Sequence, residues 1–202
     1  MKMGKIEKWL VNRPGREQQA INRAEKLLKF VEVNEGQKFL EIGCGTGAVS
    51  RYLAKKYNLI VTGIDVDPEQ IKLAQRNTES TAKINFFEGD ATKLECRDGE
   101  FDIVLSFGVT HHINNWIYAL KETQRVLRPG GYFIYFDLVT PASIAKIARR
   151  FARSFGVVTL AEINSFTGEN SFYTIHSALT KHLILNEYEA VYRKKPVRTR
   201  KT

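Results

Sequence analysis

Compact blocks of apolar residues alternate with amphipathic segments along the chain, most regularly between residues 38 and 138. Compact blocks rich in β-branched residues are typical of buried strands, whereas apolar residues at every third or fourth position are typical of helices. The predicted strands lie near residues 38–42, 59–64, 83–87, 101–106 and 132–138, and the predicted helices near 17–33, 48–57, 68–79 and from 114 or 115 to 127. This alternation predicts an α/β fold, with a doubly wound, Rossmann-like and mostly parallel sheet and helices on both faces.

The pattern is less regular after residue 138. Residues 141–155 have the spacing of an amphipathic helix, with Ile144, Ile147, Ala148 and Phe151 on its apolar face. Residues 187–192 have the composition of a strand. The stretch 171–185 is interpreted as a helix followed by a short strand, and 156–186 as a whole has no clear assignment.

The composition indicates a single domain with a substantial core. The 202 residues are 43% hydrophobic, which favours a packed globule over disorder. No apolar run reaches the roughly 18 residues that span a bilayer, and the first residues have no signal-peptide core, so we expect a cytoplasmic protein. Cys44 and Cys96 form neither a disulfide framework nor a ligand spacing with the histidines, so no metal site is predicted.

Positive charge is concentrated in two places. The net charge is +9, and the last ten residues, 193–202, contain six Lys or Arg and no acid. A second cluster comprises Lys146, Arg149, Arg150 and Arg153. Such cations are either simply hydrated or form a surface for an anionic partner, so nucleic acid remains an alternative partner through the basic tail.

Three glycines at alternate positions, Gly43, Gly45 and Gly47, follow the first predicted strand and precede a helix. A glycine loop at such a junction lets a ligand approach the backbone, because no Cβ intervenes. The spacing differs by one residue from the dinucleotide fingerprint G-x-G-x-x-G, which disfavours a nicotinamide-dependent oxidoreductase. Glu41 places a carboxylate near the carboxyl end of the strand, the edge at which open α/β sheets bind ligands.

Acidic residues also follow the next two predicted strands. Asp65 and Asp67 come at the end of the second strand, and Asp90 comes just after the third. Either Asp65 or Asp67 can cap the helix that begins with Pro68. We favour the cap for Asp67 and contacts with ribose hydroxyls for Asp65, as in dinucleotide folds. Asp90 by itself is typical of a turn.

Motifs that follow one another along the chain give it a family resemblance. Glu41-x-Gly43-x-Gly45-x-Gly47 resembles motif I of the class I S-adenosylmethionine-dependent methyltransferases. The segments 101–106 (FDIVLS) and 125–131 (RVLRPGG) resemble later motifs of the small-molecule group that includes the ubiquinone and menaquinone biosynthesis enzymes. The resemblance covers roughly residues 38–138. It implies S-adenosylmethionine as the cofactor and an antiparallel strand at the C-terminal edge of the sheet.

The resemblance also implies roles for individual residues. Glu41 and the glycine backbone would hold the methionine part of the cofactor, and Asp65 would hold its ribose. Val66 would pack on the adenine, Asp90 and Ala91 would read the adenine edge, and the Ser106 carbonyl would accept from the cofactor's amino group. The expected cofactor-binding residues are Glu41, Gly43, Gly45, Gly47, Asp65, Val66, Asp90, Ala91 and Ser106.

Methyl transfer from a sulfonium is an in-line displacement, which mainly requires alignment and in some cases a base that deprotonates the acceptor. His111 and His112, in the loop after the fourth strand, are the candidate catalytic bases. The alternative is that one histidine packs and the other is hydrated. The loop lacks the Asp/Asn-Pro-Pro-aromatic sequence of enzymes that methylate amino groups of DNA and of some RNA and protein substrates.

We therefore expect a methyltransferase that acts on a small molecule. An RNA or protein methyltransferase that uses the basic surface and a non-catalytic binding module are the alternatives. The expected organisation is one domain, 1–202, with four parts: an N-terminal helical segment that could act as a lid and includes Trp9 (1–36), a cofactor-binding core (37–138), a substrate-shaping part (139–192) and a basic tail (193–202). The pattern identifies neither the methyl acceptor nor the oligomeric state.

Overall fold

The computed structural model describes residues 15–79, 83–151 and 155–196, so the predicted lid residue Trp9 lies outside the described residues. The strands are β1 (Lys38–Ile42), β2 (Ile60–Asp65), β3 (Ile84–Glu88), β4 (Phe101–Phe107), β5 (Leu127–Val139), β6 (Phe172–Thr180) and β7 (Asn186–Lys194). The helices are α1 (Arg16–Leu28), α2 (Ala48–Tyr57), α3 (Pro68–Arg76), α4 (Trp116–Val126), α5 (Ala142–Phe151) and α6 (Leu160–Glu169), with a 3₁₀ helix at Thr110–His112.

All seven strands form one sheet in the order β3-β2-β1-β4-β5-β7-β6. The first five in this order are parallel, whereas β7 runs antiparallel to both β5 and β6. The predicted α/β fold with a mostly parallel sheet and an antiparallel C-terminal edge is confirmed. The strand order reverses between β1 and β4, which is where open α/β sheets form their ligand crevice.

Helices cover both faces of the sheet. Adjacent residues of β1 point to opposite faces, as the two-residue period of a strand requires. Phe39 belongs to the buried cluster beneath α1 and α2, with Leu27 and Leu53. Leu40 belongs to the buried cluster beneath α4 and α6, with Leu120 and Phe166. The centre of the sheet is therefore enclosed, and the loops that extend from its carboxyl edge remain accessible.

Two predicted helix ends are wrong. Helix α1 ends at Leu28 rather than near residue 33, because the N–H groups of Phe30 and Val31 bond three residues back and tighten the last turn. Helix α3 ends at Arg76 rather than near residue 79. The segment 129–131 (Pro-Gly-Gly) lies inside β5, where the pairing with β4 shifts register.

The region after residue 155 differs most from expectation. Residues 171–185 were predicted to form a helix and then a short strand, but they contain β6 and the connection to β7. The helix lies earlier, in α6, where the Thr159 side chain and Glu162 form a capping box. Helix α5 is present over Ala142–Phe151, and Ala145 is its buried residue.

Two cations of the predicted basic tail are part of the fold. Lys194 lies in β7, and its Nζ donates to the carbonyls of Gln124 and Leu127 at 2.7 and 2.8 Å, at the end of α4. Arg193 donates to the carbonyl of Gly130. Residues 197–202 and Arg153 lie outside the described residues. None of the described helices is long and apolar enough to cross a bilayer.

Candidate functional site

The glycine loop joins β1 to α2 and is tied to β2. The N–H groups of Gly43 and Cys44 both donate to the carbonyl of Ile64, at 2.7 and 3.0 Å. Gly43 has φ +74°, and a Cβ there would overlap the side chain of Val109, in the loop after β4. The glycine loop and the loop after β4 are therefore in close contact.

Space remains at the middle glycine. Gly45 has φ +51°, and the nearest atom to a Cβ built on it would be Gln70 Oε1, at 3.9 Å. Gln70 lies on α3 and is buried, and its Oε1 has no hydrogen-bond partner within the described residues. A buried acceptor without a partner is costly unless a ligand supplies a donor. No pattern in the sequence pointed to Gln70.

Asp65 connects the glycine loop to the start of α3. Its buried carboxylate accepts the N–H of Gly45 on Oδ2 and the N–H of Asp67 on Oδ1, both at 2.9 Å. Burial raises the pKa of Asp65, and these backbone hydrogen bonds oppose the rise. Each carboxylate oxygen has a second lone pair, so Asp65 can accept further hydrogen bonds. Val66, the next residue, is 39% exposed.

The predicted helix cap is confirmed. Asp67 precedes α3 and accepts the N–H of Glu69 at 3.0 Å, and Pro68 occupies the first turn. Asp65 and Asp67 therefore have different structural tasks, although both come at the end of β2. The ribose role of Asp65 stays a prediction.

Glu41 lies beneath the loop rather than on its surface. Its buried carboxylate accepts a hydrogen bond from the hydroxyl of Ser50, on α2. Burial raises the pKa of Glu41 from its ordinary 4.5 to about 7, and the hydrogen bond from Ser50 opposes this rise. The side chain thus joins β1 to α2, and its expected role towards the methionine part of the cofactor stays a prediction.

Asp90 stabilises a turn through hydrogen bonds to Thr92, as is typical of an aspartate at such a position. Its exposed carboxylate accepts the N–H and the hydroxyl of Thr92 on Oδ1, at 2.8 and 2.7 Å. Ala91 is buried in the core cluster beneath α4 and α6. Ser106 is buried in β4, in register with Ile42 of β1. The adenine contacts of Asp90 and Ala91 and the contact of the Ser106 carbonyl stay predictions.

His111 pairs with a buried carboxylate that the sequence analysis missed. Its Nδ1 is hydrogen-bonded to Oδ1 of Asp137, which lies on β5 and is fully buried. The ring of His112 lies against the ring of His111, with centroids 3.9 Å apart. A lone acid in the apolar run 132–138 was the available signal for Asp137, because such an acid needs a buried partner.

Further hydrogen bonds fix the position of Asp137. Its Oδ2 accepts the N–H and the hydroxyl of Thr110, at 2.7 and 2.6 Å. Because the Thr110 hydroxyl donates to Asp137, it accepts from the hydroxyl of Tyr135, 2.6 Å away. Burial raises the pKa of Tyr135 well above its usual range, so this donor remains protonated. The network holds the imidazole of His111 in one orientation.

A cleft of about 260 Å³ opens beside the histidine loop. It lies between the residues that follow the 3₁₀ helix, the end of α5 and the start of α6. Its lining residues are Asn114, Trp116, Arg149, Phe155, Val157 and Glu162. Within the described ranges, no group of three or more His, Cys, Asp or Glu side chains could hold a metal ion.

A family model described as a methyltransferase domain matches residues 40–135, which contain the glycine loop, Asp65, Asp90 and the histidine loop. Similar curated proteins include the fatty-acid O-methyltransferase of Mycolicibacterium smegmatis, 39% identical over 51% of this chain and 38% of the relative. The 2-methyl-6-phytyl-1,4-hydroquinone methyltransferase of Synechocystis sp. is 39% identical over 50% of this chain and 32% of the relative. The demethylmenaquinone methyltransferase of Staphylococcus carnosus is 33% identical over 58% of this chain and 49% of the relative. Each match thus spans less than half of the relative.

Solved structures share the fold over most of the chain. The putative sarcosine dimethylglycine methyltransferase from Galdieria sulphuraria has a TM-score of 0.75 at 16% identity, covering 88% of this chain and 86% of that one. The PH0226 protein from Pyrococcus horikoshii has a TM-score of 0.71 at 23% identity, covering 92% of this chain and 93% of that one. At such identities the likeness is one of fold.

Proposed function

We propose that this chain, which carries the core of the class I S-adenosylmethionine-dependent methyltransferases of small-molecule type, transfers a methyl group to a small molecule. The match of residues 40–135 to a methyltransferase domain confirms the family resemblance of the core, and S-adenosylmethionine is the cofactor that this resemblance implies. The observation that carries the proposal is the contact between the glycine loop and the loop that bears His111. A cofactor on the first loop would lie beside a candidate base on the second.

The residues around the glycine loop fit this cofactor. Gly45 leaves space above the backbone, and Asp65 keeps lone pairs for ribose hydroxyls. Gln70 offers a buried acceptor that has no partner among the described residues. Hydroxyl and amino groups of the cofactor are donors of the kind that these acceptors require. The predicted contacts of Val66, Asp90, Ala91 and Ser106 would hold the adenine and amino groups.

The His111–Asp137 pair supplies a base for the acceptor. S-adenosylmethionine, when bound, supplies a methyl group that its sulfonium already activates. Because Asp137 accepts from Nδ1, the neutral imidazole carries its proton there, and the Nε2 lone pair can take a proton from the acceptor as it attacks. His111 is thus the catalytic residue in this proposal and Asp137 its positioning residue. His112, which lies against the His111 ring, restricts that ring's movement.

The acceptor in this proposal carries an apolar tail. The names of three similar proteins specify a fatty acid, a phytyl hydroquinone and a demethylmenaquinone. No described contact favours an RNA or protein acceptor, since Arg193 and Lys194 of the predicted tail bind backbone carbonyls of the same chain.

Two measurements test the proposal. Calorimetry with S-adenosylhomocysteine tests the cofactor site, and saturable binding is expected. Transfer of radiolabelled methyl groups is then measured on a long-chain fatty acid and a prenylated hydroquinone, with bulk tRNA and a mixed protein substrate as controls. Label in the organic-soluble products supports the proposal. Label in tRNA or protein alone, or binding of the cofactor product without any turnover, would overturn it.

A further inference from the structure

Helix α5 presents its apolar face to solvent. Ile147 is 63% exposed and Phe151 is 77% exposed, and Ile144 is also exposed. The three residues are spaced at i, i+3 and i+7, so they share one face of the helix. Ala145 is the buried residue through which α5 contacts the body. Contiguous exposed apolar side chains of this kind mark a surface that contacts another molecule.

Exposed cations flank this apolar face. Lys146 and Arg150 are exposed and one helical turn apart, and α5 contains no acidic residue. Arg149, between them along the chain, pairs with Glu162 of α6 at 2.6 Å and anchors the helix to the body. Apolar anchors with lysine and arginine alongside are the arrangement of helices that lie in the interface of an anionic bilayer.

A second apolar group lies at the same edge of the sheet. Leu183 is 97% exposed and Ile184 is 67% exposed, in the connection between β6 and β7. Asn186 begins β7 and pairs with Val139, the last residue of β5, and α5 begins three residues after Val139. This connection and α5 therefore both extend from the carboxyl edge that holds the His111–Asp137 pair.

We propose that α5 and residues 183–184 form a docking surface for an anionic lipid bilayer. The apolar side chains enter the acyl region while Lys146 and Arg150 contact lipid phosphates. The carboxyl edge of the sheet then faces the bilayer, where an acceptor with an apolar tail would reside. Lipid docking itself needs neither cofactor nor acceptor, so its failure is distinguishable from failure of the proposed methyl transfer.

Flotation of the purified full chain with vesicles tests the proposal. Binding is expected to vesicles of phosphatidylcholine with phosphatidylglycerol, and much weaker binding to phosphatidylcholine alone, with a marked loss at high salt. The double variants Ile147→Ser/Phe151→Ser and Lys146→Glu/Arg150→Glu should each lower the affinity by about tenfold or more. Equal binding of either variant and of the wild type, or no binding to anionic vesicles, would overturn the proposal.

Matched controls separate this surface from general hydrophobicity and charge. Tyr118→Ser removes an exposed aromatic side chain from α4, and Lys72→Glu/Arg76→Glu reverses two exposed cations on α3. Both controls should bind vesicles within about twofold of the wild type. If they lose as much affinity as the α5 variants, attraction is unspecific and the proposal fails.

The occupant of the surface can be identified directly. A photoreactive amino acid at position 147 should label lipid when anionic vesicles are present. Cross-linking instead to a second copy of the chain, with a monomer produced by Ile147→Ser/Phe151→Ser, would show an interface between copies. Cross-linking within the chain to residues 1–14 would show an internal cover. Either of these outcomes would overturn lipid docking.

Discussion

The carboxylate of Asp65 accepts the backbone N–H of Gly45 at 2.9 Å, so the end of β2 fixes the position of the glycine loop that follows β1. The same carboxylate is the proposed acceptor for the ribose hydroxyls. One side chain thus shapes the loop and holds the ligand, and a substitution that removes the carboxylate altogether would confuse the two effects. A substitution that retains one carbonyl oxygen separates them better.

Asp65→Asn is expected to weaken S-adenosylhomocysteine binding by about 100-fold or more, because each hydrogen bond to a charged acceptor is worth about 1.5–3 kcal/mol. The variant should remain folded, since the amide oxygen can still accept the N–H of Gly45, but the amide nitrogen then faces the N–H of Asp67 and lowers stability by about 1–3 kcal/mol. Calorimetry measures the affinity, and thermal unfolding checks the fold. Unchanged affinity in a folded variant would show that Asp65 does not hold the ribose.

Asp67→Ala is the control for that substitution. Asp67 caps α3 and lies two residues away from Asp65. Loss of an N-cap costs about 1 kcal/mol of unfolding free energy. The control should therefore lose stability while its affinity for S-adenosylhomocysteine stays within a few-fold of the wild type.

His111→Ala is expected to lower kcat by about 10²–10⁴-fold on an acceptor identified by the turnover assay, which is the usual contribution of a positioned base. The KM for that acceptor should change much less than kcat, because the base acts on the acceptor's proton in the transition state rather than on its binding. Affinity for S-adenosylhomocysteine should not change, since His111 is not placed on the cofactor.

His112→Ala provides the comparison, because its ring lies against the ring of His111. It should show a much smaller loss of kcat than His111→Ala. If His112→Ala loses more kcat than His111→Ala, the roles assigned to the two histidines are reversed.

The central parallel strands β1, β2, β4 and β5 could be predicted from the sequence because they are mostly buried and therefore read as apolar runs. The positions of Asp65 and Asp67 followed from the same rule, since both come where a strand ends. The hairpin β6–β7 could not be predicted in this way. Strand β6 is exposed along much of its length, so its residues carry no clear two-residue alternation.

Site residues that belong to a local sequence motif could be predicted. Site residues whose partners lie on distant elements of the chain could not. The glycine loop and His111 were found from local patterns. Asp137 is 26 residues from His111, and only the pairing of β4 with β5 brings them together. Gln70 resembles any polar residue in the first turns of a helix, so its burial depends on tertiary packing.

Glu41 should make stability depend on pH. Its pKa is about 7 in the folded protein against an ordinary 4.5, so the folded state binds more protons between these values. The free energy of unfolding should therefore fall as pH rises from about 4.5 to about 7, by up to about 3 kcal/mol, and be constant above that range as far as this group is concerned. Glu41→Gln removes the contribution.

Urea unfolding of the wild type and Glu41→Gln at pH 5 and pH 8 isolates this contribution, because all other titrating groups are common to both proteins. The free energy of unfolding of the variant minus that of the wild type should be larger at pH 8 than at pH 5. An identical difference at the two pH values would mean that the Glu41 carboxyl titrates alike in the folded and unfolded chain.

Gly47→Ala should destabilise the protein through both backbone strain and steric overlap. Gly47 has φ +75°, and a Cβ there would lie 2.7 Å from Cε1 of Phe86 and 3.1 Å from Cβ of Ala74. Gly130 has φ +80° with no atom within 4 Å of a Cβ, so Gly130→Ala measures the strain alone. We expect Gly130→Ala to lower the free energy of unfolding by about 1 kcal/mol, and Gly47→Ala to lower it by about 1–3 kcal/mol more. Urea unfolding measures both losses. Equal losses would show that the Phe86 side chain can move aside without loss of stability. The tight packing of β3 against the glycine loop would then not contribute to stability.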